Sequence, residues 1–77
     1  MEMVAVEIRG DVPDSAGQDL AGLDDGVVIL GPMAVEDGVR WLLTGRLGQA
    51  RLDLRKMVGR WRDNGATVRV DADPIDV

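Results

Sequence analysis

The residues able to do chemistry in this 77-residue chain are few and of restricted kind. There is no His, Cys or Tyr, so the side chains whose ordinary pKa values suit proton shuttling near neutrality, or that supply a thiolate, are missing. Ser15, Thr44 and Thr67 are the only hydroxyls, and Lys56 is the only side-chain amine. None of them has a histidine to serve as base. The one adjacent carboxylate pair, Asp24-Asp25, lies in a loop, an arrangement better suited to a solvated turn than to paired acid–base work. Asp11, Asp14, Asp19, Asp24 and Asp25 form a loose acidic cluster without the alternating ligands, central glycine and terminal glutamate of a calcium loop. GPMAVEDG follows a strand-like run, yet it fits neither glycine-rich phosphate-binding pattern, and Glu36 and Asp37 would repel a phosphate there. These absences predict no catalytic residues, no metal site and no cofactor.

Binding chemistry is better represented. Arg51, Arg55 and Arg62 fall within about 40° of one another when residues 50–64 are projected as a helix, forming one cationic flank. Residues 1–39 carry one cation and nine anions, whereas residues 40–62 carry seven cations and one anion. The net charge is −5, which argues against a polyanion as the main partner and leaves a protein surface as the natural target of the arginines. The excess of Arg over Lys, beside abundant Ala, Gly, Val and Asp, is also what GC-rich coding produces. The two tryptophans are expected to differ in role. Trp61 falls among Leu54, Met57 and Val58 on one helical face and reads as core, whereas Trp41 projects off its apolar stripe and reads as a binding residue.

The elements that would carry these groups follow from hydrophobic periodicity. Met3–Ile8 alternates as a half-buried strand. Residues 14–23 read as a loop with a turn or two of helix, weakened by Gly17 and Gly22. Val27–Leu30 is an aliphatic run that fits a strand covered on both faces and reads as the central strand. Beyond Gly31-Pro32, residues 35–47 place Val35, Val39, Leu42, Leu43 and Leu47 within about 140° at helical spacing, which predicts a first helix. A second helix is predicted from between Ala50 and Asp53 to the Asn64-Gly65 stop. Ala66, Val68 and Val70 alternate as a last strand, and residues 72–77 read as a loosely ordered tail.

The expected fold is therefore α/β: a small two-layer sandwich with a three-stranded sheet and two helices on one face, in the order β-(short α/loop)-β-α-α-β. Its strand–helix–helix–strand crossover implies at least one parallel pair. A chain of this length makes one domain, 1–77, and buries only about 60% of its unfolded surface, so modest stability is expected. Without cysteine there is no disulfide framework, and no apolar run is long enough for a signal peptide or a membrane span. A cytoplasmic location is the default.

The runs DGVVIL, DGVRWLL and DNGATVRV are similar to the second half of DsrE-like sulfur-relay subunits. That resemblance implies an α/β fold. Active members use a cysteine persulfide, and a chain without cysteine does not inherit that activity. On the residues themselves, the expected role is a non-catalytic protein-interaction module, such as an adaptor, an inhibitor or antitoxin-like protein, or an accessory subunit. Its candidate protein-binding residues are Trp41, Arg51, Arg55 and Arg62. The alternatives are a self-assembling structural subunit and, with less support, a small ligand- or nucleic-acid-binding module.

Overall fold

A computed structural model of the chain describes residues 3–23 and 26–72. The elements run β1 (Met3–Arg9), α1 (Ala16–Ala21), β2 (Val27–Val35), β3 (Gly38–Gly45), α2 (Gly48–Asp63) and β4 (Thr67–Ala72). The four strands form one sheet in the order β2-β3-β1-β4, with every neighbouring pair antiparallel. This is the split β-α-β, or ferredoxin-like, connectivity.

The expected three-stranded sheet with a parallel pair, and with Val27–Leu30 as a central strand covered on both faces, is thus corrected: β2 is an edge strand with Val28 and Leu30 exposed, and residues 35–47 are the cause. They form the turn and second arm of a hairpin, not a helix. Val35 pairs with Gly38 across the two-residue turn Glu36-Asp37, where Asp37 adopts a positive φ of 63°. From there the chain alternates: Val39, Trp41 and Leu43 face the core, while Arg40, Leu42 and Thr44 face the other side. The same residues satisfy a 3.6-residue period only by leaving Trp41 outside; a period of two puts it in. The two crossover helices do join strands of like direction, β1 to β2 and β3 to β4. In each case another strand lies between them, so no parallel ladder forms.

Gly38 is fixed by packing. A Cβ there would run into the Ile8 carbonyl oxygen and come within 2.9 Å of Arg9 Cα. The adjoining chain ends are tied by the Gly10 N–H, which donates to the Asp37 carbonyl at 2.8 Å.

α2 begins at Gly48, two residues before the earliest start the sequence predicts, and ends where expected. Gly65, at φ 96°, donates to Arg62 O at 3.0 Å, and the Ala66 N–H donates to Trp61 O at 3.0 Å. That pair of bonds is a Schellman cap. The short helical segment after Pro13 is a true helix of six residues, α1.

The core fills the space between one sheet face and the two helices. Val4, Val6, Ile8, Trp41 and Leu43 from the sheet meet Ala16 and Leu20 of α1 and Ala50, Leu54, Val58 and Trp61 of α2. Trp41 sits opposite Val6 and Leu43 opposite Val4 in the β1–β3 register. Trp61 is 2% exposed, as its place on the apolar stripe predicts. Its indole Nε1–H donates to Asp19 Oδ2 at 3.1 Å, joining α2 to α1. Among the described residues no polar or charged side chain is fully buried.

Candidate interaction surface

Among the described residues no group of three or more His, Cys, Asp or Glu side chains could hold a metal ion. Asp19 is committed to Trp61 and also accepts from Ser15 Oγ at 3.4 Å. Asp11 and Asp14 are exposed; Asp24, Asp25 and most of the 72–77 tail lie outside the described residues. The search for a site therefore turns to surfaces, of which two stand out.

The first is a groove of about 450 Å3 between α2 and β4, within the size range of ligand sites. Its floor is apolar, made by Val4 of β1, Leu54 and Val58 of α2 and Val70 of β4. Arg51, Arg55 and Arg62 stand along its helical wall. The cationic flank read from the sequence is thus one side of a concavity, and the described lining residues include no carboxylate. The reason is geometric. α2 packs its Leu54–Val58–Trp61 stripe on the sheet, so the neighbouring arginine row overhangs β4 at the sheet margin. Val70 belongs to the core-facing set of β4, opposite Val6, yet it is 40% exposed because the helix does not reach over it. Gly59, with no side chain, also lines the groove. Arg62 is held in place: its Nη2 donates to the Val68 carbonyl at 2.8 Å.

The second surface is the sheet face that bears no helix. Antiparallel sheets commonly leave one face to water, and such a face is normally polar. Here its β4 side is charged, with Arg9 Nε 3.2 Å from Glu7 Oε2 and Arg69 Nε 3.1 Å from Asp71 Oδ2. The β2 side is apolar: Val28, Leu30 and Met33 are 52%, 48% and 40% exposed, beside the half-buried Leu42. β2 is irregular between Leu30 and Met33, around the cis Gly31-Pro32 bond.

Of the four candidate binding residues, the structure brings Arg51, Arg55 and Arg62 together and separates Trp41 from them. Trp41 is 5% exposed, within the core on β3, so its projection off a helical stripe is corrected along with the helix itself. Val70, Val4 and Gly59 were missed as groove residues. The alternation of Val68 and Val70 was visible in the sequence, but nothing there showed that the helix would stop short of Val70.

No family model, curated protein or solved structure matches the chain. The partial likeness to sulfur-relay subunits therefore gains no support, and the function is argued from the surface alone.

Proposed function

We propose that the chain is a non-catalytic protein-interaction module that docks another protein through the α2–β4 groove. One observation carries the reading: three arginines converge on an apolar-floored concavity in a molecule of net charge −5. A protein surface offering apolar anchors inside an acidic rim matches that combination, because apolar burial supplies affinity and charge complementarity supplies orientation and encounter rate. The residue inventory supports a role without catalysis, since no His, Cys or Tyr is present. The reading assumes a cytoplasmic setting; no helix among the described residues is long and apolar enough to cross a membrane.

The test is site-specific photocrosslinking in the source cell. A photoreactive residue at Gly59, where an added Cβ meets nothing within 4 Å, is compared with one at Lys56, which lines a separate depression beside Gly22 and Leu23 and not the groove. Position 59 should give a discrete crosslinked partner that position 56 does not, and the Arg51→Glu/Arg55→Glu variant should abolish it. Equal crosslinking at both positions, or crosslinking indifferent to the arginines, would sink the reading.

A second reading rests on the open sheet face, where Val28, Leu30 and Met33 are exposed along one strand. Face-to-face pairing of two copies would cover them in a self-assembling subunit. Light scattering decides this: a monomer from micromolar to millimolar concentration rejects it.

A further inference from the structure

The groove is bordered by a sheet edge, and the pairing register says which backbone groups that edge presents. In an antiparallel ladder, residues alternate between exchanging hydrogen bonds with one neighbour and pointing them to the other side. The Gly10 N–H donates to Asp37 O, its partner in the extended β1–β3 register. Even-numbered residues of β1 therefore direct their backbone groups toward β3, and odd-numbered ones, Ala5, Glu7 and Arg9, toward β4. Their partners on β4 are Asp71, Arg69 and Thr67. It follows that Val68 and Val70 turn their N–H and C=O groups away from β1, to the outer edge beside the groove. The Arg62 bond to the Val68 carbonyl agrees with this independently, since Arg62 stands on that side.

The two edges of the sheet are not alike. β2 is broken by its irregularity between Leu30 and Met33 and contains Pro32, which has no N–H to give. β4 runs six residues without proline. Among the described residues, regular strand pairing is thus available along β4, beside the arginine row.

We infer that the groove binds an extended, acidic segment of a partner protein by strand addition to β4, with aliphatic side chains on the Val70–Leu54–Val58 floor and carboxylates on Arg51, Arg55 and Arg62. This rests on the groove being the docking site, and it specifies how the groove is filled. Spacing supports it. Arg51 and Arg55 are one helical turn apart, about 6 Å, close to the roughly 6.7 Å that separates alternate residues of a strand. Arg51 to Arg62 spans about 16 Å of helix, the length of about five strand residues. An N–H of the added strand replaces Arg62 at the Val68 carbonyl, and the released guanidinium is then positioned for a carboxylate of the same segment. The charge of the groove selects an acidic segment, and the strand edge selects an extended one.

The test uses the full chain and three labelled peptides in fluorescence anisotropy. The first is acetyl-Glu-Thr-Glu-Thr-Val-Thr-amide, whose first, third and fifth side chains share one face and whose two carboxylates are spaced for Arg51 and Arg55. The second replaces Glu by Lys. The third keeps the sequence and methylates the backbone nitrogens of its second to fifth residues, which removes the strand donors in either strand orientation without changing charge. The acidic peptide should bind, its Lys counterpart should not, and Arg51→Glu/Arg55→Glu should weaken binding on the order of tenfold or more. Methylation should weaken it roughly fivefold for each ladder bond lost. Val70→Pro, which removes an outward N–H and spares the β1 ladder, should act in the same direction while the thermal melt stays cooperative. If the methylated peptide binds as well as the parent and both depend on the arginines, strand addition is wrong while the groove survives as the docking site. Binding indifferent to the arginines overturns both. Absence of peptide binding, or tighter binding of an oligothymidylate of similar charge, overturns the proposal, the latter in favour of nucleic acid.

Discussion

Replacing Trp41 by alanine separates a core residue from an exposed binding residue. Trp41 is 5% exposed, packed on the sheet face opposite Val6 and beneath the helices. Burial of a tryptophan removes about 200 Å2 from water, worth ~5 kcal/mol at 25 cal/mol per Å2. Partial collapse of the site brings the expected cost of Trp41→Ala to about 3–5 kcal/mol. A 77-residue domain has a total stability of about 4–12 kcal/mol, so the substitution removes much or all of it. With a urea slope of about 1 kcal/mol/M, the unfolding midpoint should fall by ~3 M or the variant should be unfolded in buffer. Far-UV circular dichroism and the fluorescence of the remaining Trp61 report the transition. An exposed tryptophan would behave differently, since surface truncations stay within about 0.5 kcal/mol. A loss below about 1 kcal/mol would refute the placement of Trp41 in the core, and with it the β3 register.

Further substitutions probe other parts of the molecule. Gly38→Ala forces a Cβ into the Ile8 carbonyl and should cost more than about 2 kcal/mol in a thermal melt; Gly17→Ala, which meets open space, should cost nothing. Asp19→Ala deprives the buried Trp61 Nε1 of its acceptor and should cost about 1–2 kcal/mol, while Asp14→Ala should be silent by the same melt. Leu30→Lys on the open face should leave the fold intact and slow sedimentation only if copies pair there; a change in melting temperature of more than a few degrees would show that Leu30 is packed.

Much of the α2 end of the molecule was legible in the sequence, and the β2–β3 hairpin was not. Leu54, Val58 and Trp61 recur at helical spacing, Asn64-Gly65 is a local stop, and Arg51, Arg55 and Arg62 must share a face on any helix through them. These are features of one element, set by its own period. Residues 35–47 satisfy two periods at once, because Leu42 and Leu43 are adjacent and offer an apolar residue to either. A local hairpin cue exists in Asp37-Gly38 between apolar runs, but it is offset by one residue: the turn is Glu36-Asp37, and Gly38 already pairs with Val35. Once β3 is a strand, Trp41 moves to the core by parity alone. The groove was half visible for a related reason. Its arginines lie on one helix, but the sheet part of its floor, Val4 and Val70, is brought together only by the β1–β4 pairing, and pairing of strands distant in sequence leaves no local trace.

The central claim is that the α2–β4 groove is where this chain meets its partner, and backbone NMR tests it most directly. Titrating the acidic peptide into isotope-labelled protein should move the amide resonances of Val68, Val70 and Gly59 most. Val70 should also gain protection from hydrogen exchange as its outward N–H enters a ladder. If instead the largest shifts fall on Val28, Leu30 and Leu42, with Val70 unmoved, the open sheet face is the binding surface and the groove is not.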